Sequence, residues 1–195
     1  MKKLITIILI LFYPVIKSSN AEEKNINRML VGNPDAKITI IAYESLTCSH
    51  CANFHKDVYP QLKKDFLDTG LAKIEFRHFP LDLAAFNASK IAQCRNDGET
   101  EIYNSLFANQ QKWVKGSSVE EANKNLQKFL TDEGFNLEFE KCISDKQIED
   151  FVLNDRIEGV KNYNVNATPT IIINNKKFEK SLNYKNLKKT LEKLI

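Results

Sequence analysis

The sequence predicts a single α/β domain that carries a helical insertion, and three observations predict it. A strand, a helix and a second strand follow one another between residues 37 and 79, which makes a βαβ unit. From Leu83 to about Tyr163 the apolar residues have helical spacing, and strand-like sequence returns at Thr170–Ile173. A chain of 195 residues that is 43% apolar is long enough for one well-buried core and short for two complete domains.

The amino-terminal 21 residues have the features of a signal peptide. A basic start precedes an uncharged run at residues 4–16, and Ser19 and Ala21 fit the small residues of a cleavage site. The run is short for a membrane span, which needs about 20 residues. We therefore expect residues 1–21 to be a signal peptide and residues 22–195 to be the exported domain, with an uncleaved membrane anchor as the alternative.

The charge pattern argues against a nucleic-acid-binding protein. The formal net charge is +3, and the leader alone carries three lysines and no acid, so the rest of the chain is close to neutral. The remaining lysines are interspersed with glutamates and aspartates and form no basic face interleaved with aromatic residues.

The strands and the helix of the βαβ unit follow from local patterns. Residues 37–44 alternate two largely apolar sets, as expected of a central strand that is covered on both faces. A short strand at Arg28–Val31 precedes it, and Leu71–Phe79 reads as the second strand of the unit, with His78 on its apolar face. The helix between the strands, from about Ser49 to Leu67, should be kinked or divided by Pro60. Its predicted buried stripe consists of Phe54, Val58, Leu62 and Phe66.

The insertion, at about residues 82–163, is predicted to contain four or five helices, because glycine-containing breaks fall near residues 97, 116 and 134. After Thr170–Ile173, the turn dipeptide Asn174-Asn175 predicts a hairpin whose second strand is Lys176–Glu179. A terminal helix follows, with a predicted buried stripe of Leu187, Leu191 and Leu194.

The candidate site is the pair Cys48 and Cys51, which lies between the first long strand and the helix. Cysteines three residues apart in the first turn of a helix are close enough to form a disulfide. Unpaired backbone N–H groups there stabilise a thiolate, so Cys48 is the expected nucleophile. Cys51 is the expected resolving cysteine, and the imidazole of His50 would stabilise the Cys48 thiolate further.

Two other readings of the pair were considered. A structural disulfide is one, and a zinc half-site of Cys48, Cys51 and His55 is the other. A closed zinc site needs a fourth ligand, for which His50 or His78 could be proposed. Because no second CxxC or HxxxH motif supports either, we expect no metal and no other cofactor. His55 is then expected to be a partly exposed polar residue.

The remaining cysteines, Cys94 and Cys142, both fall in the insertion. Export would place them in an oxidising compartment, where a disulfide between them is the simplest pairing. Two buried free thiols are the alternative.

Three stretches carry a resemblance that spans nearly all of the mature chain. They are residues 46–55 (LTCSHCANFH), residues 76–82 (FRHFPLD) and residues 167–170 (ATPT). With the order of elements, they resemble the DsbA-like proteins of the thioredoxin superfamily. The resemblance implies a thioredoxin fold, a central mixed sheet flanked by helices, and a cis peptide bond at Pro169 beside Cys48. It also implies that Thr168 shapes a peptide-binding edge.

The same resemblance implies reduced exported proteins as substrates, the periplasm as the compartment, and a membrane partner of the DsbB type that reoxidises the pair. Two positions depart from the family pattern. Ser49 stands where the best-known members have proline, and Ala42 stands where relatives often have a buried acid. Glu44, on the same strand face as Ala42, is the alternative proton acceptor for Cys51, unless it is an exposed residue at the end of the strand.

The sequence thus predicts a monomeric exported thiol–disulfide oxidoreductase that introduces disulfides into newly translocated proteins through Cys48 and Cys51. A disulfide isomerase or reductase remains the alternative within the same chemistry. A non-enzymatic peptide-binding protein with a structural disulfide is the alternative outside it.

Overall fold

The computed structural model describes residues 25–195, so the signal peptide expected at residues 1–21 lies outside the described part. The elements, in chain order, are β1 (Leu30–Gly32), β2 (Ile38–Glu44), α1 (Ser49–Asn53), α2 (Tyr59–Leu62), β3 (Ala72–His78), α3 (Leu83–Gln93), α4 (Glu101–Ala108), α5 (Gln110–Trp113), α6 (Val119–Asp132), α7 (Phe139–Ser144), α8 (Lys146–Tyr163), β4 (Thr170–Ile173), β5 (Lys176–Lys177) and α9 (Tyr184–Leu191). Two π-helical segments, Phe54–Val58 and Lys63–Leu67, continue α1 and α2 into one helical run.

The sheet is mixed, with the strand order β1-β3-β2-β4-β5. β2 and β3 are parallel, and the other neighbouring pairs are antiparallel. Tyr43 is the register partner of Thr170, so the carboxyl end of β2 lies beside the beginning of β4. The segments that follow β2 and precede β4 therefore meet at one edge of the sheet.

The central position of β2 follows from its two apolar faces, as predicted. Ile38, Ile40 and Ala42 belong to the main core, under the helical run that begins with α1. Ile41 and Tyr43 belong to a second cluster on the opposite face. On β3, His78 is buried on the same face as the apolar residues of that strand, also as predicted.

The helical run after β2 buries the predicted stripe, which is Phe54, Val58, Leu62 and Phe66. Pro60 lies at the start of α2, directly after the π-helical segment Phe54–Val58. The helix therefore changes its hydrogen-bonding pattern at this proline but is not divided there, because the helical run continues to Leu67.

Between β3 and β4 the structure has six helices, α3 to α8, rather than the four or five expected. The helices end before the glycine-containing breaks as predicted, but two further breaks occur without glycine. At Asn109 the backbone leaves helical geometry (φ −124°, ψ 25°), and at Asp145 the side chain accepts hydrogen bonds from the first N–H groups of α8. Asparagine and aspartate favour such capping positions, so a break between helices need not contain glycine.

A disulfide joins the end of α3 to α7. Cys94 and Cys142 have an S–S distance of 2.00 Å and a Cα–Cα distance of 5.5 Å. The simplest pairing of these two cysteines is therefore the one found in the structure.

The carboxyl-terminal elements are shorter than expected. Asn174 and Asn175 have positive φ values of 44° and 64° and form the predicted tight turn, but the returning strand β5 covers only Lys176–Lys177. Leu187 and Leu191 are fully buried. The prediction for Leu194 was wrong, because α9 ends at Leu191 and Leu194 is 44% exposed.

Within residues 25–195, none of the helices is long and apolar enough to cross a membrane.

Candidate active site

Cys48 lies where the loop after β2 enters α1. It is the N-cap residue of α1, with extended backbone angles (φ −78°, ψ 119°), and its carbonyl accepts the backbone N–H of Ala52 at 3.1 Å. Its side chain is partly exposed, whereas Cys51, one turn further along, is 0% exposed. Both are free thiols in this structure, so an accessible sulfur and a buried one stand side by side.

The two thiols differ in their tendency to ionise. The Cys51 thiol donates a hydrogen bond to the sulfur of Cys48. This hydrogen bond is the largest of the causes that lower the pKa of Cys48 from the ordinary 9.0 to about 5. Burial works against this shift, while Thr168 and the backbone N–H groups of Cys51 and His50 add to it. Cys48 is therefore a thiolate at neutral pH and a ready nucleophile.

Cys51 has the opposite character. Burial raises the pKa of its thiol well above the ordinary range, and the hydrogen bond to Cys48 and the charge of Glu44 raise it further. The backbone N–H of Ser45 points at this sulfur and opposes the shift. Cys51 therefore remains protonated while Cys48 is ionised.

The segment before β4 contacts Cys48, as the sheet register requires. The peptide bond between Thr168 and Pro169 is cis, as the resemblance implied. The sulfur of Cys48 lies 3.4 Å from the carbonyl oxygen of Thr168. The nucleophilic sulfur thus faces the backbone of the segment that precedes β4.

Glu44 is not an exposed residue at the end of its strand, and that alternative is wrong. Its side chain is 0% exposed. Its Oε2 accepts a hydrogen bond from the hydroxyl of Tyr103 at 3.1 Å and lies 2.8 Å from Nε2 of His55. Its Oε1 has no hydrogen-bond partner among the described residues. A buried carboxyl group with one oxygen that lacks a hydrogen-bond partner in the described part of the chain therefore lies close enough to Cys51 to influence its thiol.

His55 as a whole residue is partly exposed, as predicted, but its side chain is largely buried. The side chain is only 7% exposed, and its ring stacks on Phe107 of α4 with 4.1 Å between the ring centroids. Local sequence patterns do not indicate this side-chain burial, because the covering residue comes from the insertion.

The two residues between the cysteines, Ser49 and His50, are exposed. The described residues offer the His50 imidazole no hydrogen-bond partner, so the expected contribution of its ring to the Cys48 thiolate is not seen. The backbone N–H of His50 contributes instead. Every residue except proline has a backbone N–H, whatever its side chain. A sequence motif therefore cannot tell whether the ring or the backbone N–H of His50 stabilises the thiolate.

Two contacts from the insertion fix the loop that carries Cys48, and sequence reasoning missed both. The side-chain amide of Gln110 donates to the carbonyl oxygens of Leu46, at 2.7 Å, and Cys48, at 3.1 Å. The hydroxyl of Thr47 donates to Asp82 at 2.6 Å, and the same carboxylate caps α3. The insertion therefore positions the thiol pair.

Among residues 25–195, no three His, Cys, Asp or Glu side chains are grouped so that they could hold a metal ion. What the site can do is thiol–disulfide exchange. A low-pKa nucleophile is accessible, and a resolving thiol lies one turn away.

Comparison with known proteins gives the same picture. The family model described as Thioredoxin matches residues 24–193. A Rickettsia bellii protein named as a protein-disulfide oxidoreductase is 29% identical over 152 residues, which cover 76% of this chain and 57% of the relative. The disulfide bond formation protein D of Bacillus subtilis is 28% identical over 174 residues, covering 84% of this chain and 75% of the relative.

The crystal structure of Wolbachia pipientis alpha-DsbA1 superposes with a TM-score of 0.77 at 29% identity, covering 88% of this chain and 92% of that one. This chain spans little more than half the length of the Rickettsia relative, at 57%. The family model, in contrast, covers nearly all of the described residues. The chain therefore belongs to the thioredoxin family, and its structure is DsbA-like.

Proposed function

We propose that this chain is an exported protein-disulfide oxidoreductase that introduces disulfide bonds into newly translocated proteins through a reversible disulfide between Cys48 and Cys51. The observation that carries the proposal is the contrast within the pair. The pKa of the accessible Cys48 is lowered to about 5, while Cys51 is buried and stays protonated.

In the donor reaction, a substrate thiolate attacks the sulfur of Cys48 in the oxidised protein. The Cys48–Cys51 bond breaks, its electron pair goes to Cys51, and a mixed disulfide forms between substrate and Cys48. A second substrate thiolate then attacks the substrate sulfur of this mixed disulfide, and Cys48 leaves as a thiolate. The substrate gains one disulfide, and the protein ends with two reduced cysteines.

The low pKa of Cys48 favours this direction. A thiolate that the fold stabilises is a good leaving group, and it makes the reduced protein the more stable form, so that the disulfide is a strong oxidant. The carbonyl of Thr168 beside the cis Pro169 supports the proposed binding edge, because an extended substrate there would bring its sulfur to Cys48.

The substrates that this function requires are reduced exported proteins, and the compartment is the periplasm. A membrane partner of the DsbB type would take the two electrons from the reduced pair. The Bacillus relative named disulfide bond formation protein D supports an oxidising role. We propose that the protein acts as a monomer.

The reaction also needs a proton for Cys51. When this buried sulfur leaves the disulfide, it forms a thiolate in surroundings that strongly disfavour the charge. Glu44 is the proposed donor of that proton, and it accepts the proton again when the reaction runs in reverse. Its buried position beside Cys51 and its unoccupied Oε1 support this role.

A redox titration tests the proposal. The state of Cys48 and Cys51 is followed in a series of glutathione buffers, together with the oxidation of a reduced test protein. We expect a potential near the oxidising end, roughly −120 mV, whereas roughly −270 mV would favour the reductase alternative. A pair that stays oxidised in strong excess thiol and oxidises no test protein would establish a structural disulfide instead.

A further inference from the structure

We propose that His55 is the proton relay between Glu44 and the solvent, and that protons reach the buried half of the active site through a cavity separate from the substrate face. This inference rests on the proposed function, in which Glu44 exchanges a proton with Cys51. It adds the route by which that proton enters and leaves.

The need for a route follows from burial. Cys51 is 0% exposed and the Glu44 side chain is 0% exposed, so neither group exchanges protons with water directly. Each turnover nevertheless adds a proton to this buried pair or removes one. A third group that touches both the carboxylate and an open space is required.

His55 meets this requirement. Its Nε2 lies 2.8 Å from Oε2 of Glu44, within hydrogen-bonding distance. Aromatic rings hold the imidazole in place: Phe107 stacks on it at 4.1 Å, and Phe76 and Tyr59 lie at 5.4 and 5.3 Å between ring centroids. Histidine is the side chain whose ordinary pKa suits proton transfer near neutral pH.

The other side of His55 borders an open cavity. The cavity has a volume of about 650 Å³ and lies between the helical run after β2 and the helices α4 and α5. Its lining includes His55, Asn53, Lys56, Tyr59, Asn104 and Gln111. His55 therefore lies within hydrogen-bonding distance of Glu44 through one nitrogen and is also a lining residue of the cavity.

This cavity is not the substrate face. A separate depression, lined in part by His50, Thr168 and Pro169, adjoins the proposed peptide-binding edge. The two depressions share Asn53 but otherwise have different lining residues, so a substrate held at the Thr168–Pro169 edge need not fill the His55 cavity. The relay can therefore work while the mixed disulfide exists, which is when Cys51 needs its proton.

The proton balance is complete without any further reactant. When the disulfide opens, the Cys51 thiolate takes a proton from the carboxyl group of Glu44. His55 then passes a proton from its Nε2 to the Glu44 carboxylate and takes up one proton from solvent, so the proton given to Cys51 is replaced. In the reverse direction each proton moves the opposite way.

The other titratable groups that face Glu44 and His55 do not compete for this role. Tyr103, on α4, and Tyr59, on α2, both have their pKa values raised above the ordinary 10.0, chiefly by burial, so both stay neutral. The Lys56 ammonium also borders the cavity, but Lys56 is exposed to solvent. Of the groups named here, His55 alone both contacts Glu44 and lines the cavity.

The test compares His55→Gln with Lys56→Gln, a matched change on the same cavity. A glutamine at position 55 can still donate a hydrogen bond to Glu44 but cannot carry a proton. The oxidised proteins are mixed with a reduced dithiol peptide, quenched in acid at set times, and analysed by mass. We expect His55→Gln to slow opening of the Cys48–Cys51 disulfide at pH 7 about 100-fold, in the range of general acid–base effects. Lys56→Gln should react like the wild-type protein.

A second measurement separates a relay from a structural role. In His55→Ala, free imidazole should restore the rate with saturation, whereas pyrazole, which has the same size and is a far weaker base, should not. A wild-type rate in His55→Gln, or equal rescue by both compounds, would overturn the relay. Failure of the proposed function would look different, because the wild-type protein itself would then not oxidise the peptide.

Discussion

The Cys51 thiol donates a hydrogen bond to the sulfur of Cys48, and this contact moves the pKa values of the two cysteines in opposite directions. Cys48 becomes a thiolate because Cys51 remains a thiol. The pair therefore holds one negative charge and one proton over a wide pH range. Both the redox behaviour and the stability of the reduced protein depend on this division.

The first prediction concerns pH and the stability of the reduced form. The pKa of Cys48 falls from the ordinary 9.0 in the unfolded chain to about 5 in the folded one, so the thiolate contributes stability that is fully present above pH 9 and is lost as the pH falls through 5. The disulfide form has no such group. The reduced protein should therefore gain stability relative to the oxidised protein as the pH rises from 5 to 8.

Urea unfolding of both redox forms at these two pH values measures the difference. Cys48→Ser is the control, because it removes the thiolate and should show a much smaller change of stability with pH than the reduced wild-type protein does. A stability difference between the redox forms that stays constant from pH 5 to pH 8 would contradict the assigned pKa of Cys48.

The second prediction concerns Asp155, a buried carboxylate on α8. It is 0% exposed, pairs with Arg28 and Arg77, and accepts the backbone N–H of His78 at 3.0 Å. Asp155→Ala leaves the buried backbone N–H of His78 without its acceptor, while Arg28 and Arg77 keep Glu75 as a partner. The change should lower the free energy of unfolding by about 1–3 kcal/mol.

Asp150→Ala is the matched control for this change, since it removes an exposed carboxylate of the same helix that pairs with Lys146. Exposed pairs contribute less than about 1 kcal/mol. Chemical denaturation of both variants measures the two losses. Equal losses would mean that burial does not set the strength of the Asp155 interactions.

The third prediction concerns the second disulfide. Cys94 and Cys142 are 48 residues apart, and the loop that their bond closes should stabilise the fold by about 4 kcal/mol in the chain-entropy model. The double change Cys94→Ala with Cys142→Ala should therefore lower the free energy of unfolding by about that amount. Cys48→Ala with Cys51→Ala removes as many sulfurs but opens no loop, because both are free thiols in this structure. Measured at pH 5, where the Cys48 thiolate contributes little stability, its loss should be much smaller. Similar losses in both double variants would exclude loop closure as the cause.

The sequence predicted those features of the fold and of the site that depend on residues close together in the chain. Alternating and helical apolar spacing gave the strands around the thiol pair and the buried stripe of the following helix, and Cys48 and Cys51 were found by their own spacing. The partners that come from the insertion were missed. Tyr103 is 59 residues from Glu44, and Gln110 is 64 residues from Leu46. The spacing of apolar residues does not predict a contact between residues so far apart in sequence, because such a contact depends on how α4 and α5 pack against the rest of the fold. The burial of the His55 side chain was missed for the same reason.

The last prediction concerns Gly159, which lies on α8 where that helix packs against the side chain of Tyr43 of β2. A Cβ atom at this position would lie 2.7 Å from Cε1 of Tyr43, and Tyr43 is 1% exposed. The ring has little room to move, since Phe79 and Tyr163 pack against it with 6.4 and 6.1 Å between ring centroids. Glycine to alanine usually stabilises an exposed helix by about 1 kcal/mol. Here it should destabilise the protein by about 1–3 kcal/mol, because the new methyl group overpacks the core.

A double-mutant cycle identifies the cause. Tyr43→Leu removes the contacted ring atom, so Gly159→Ala should cost less in that background than in the wild-type protein. Lys161→Ala, an exposed change on the same helix, should alter stability by no more than about 0.5 kcal/mol. If Gly159→Ala were neutral, or equally costly with and without the Tyr43 ring, α8 would not be held against β2 by this close approach. If the coupling is found, the small residue at position 159 is what allows α8 to cover the face of the sheet opposite the thiol pair.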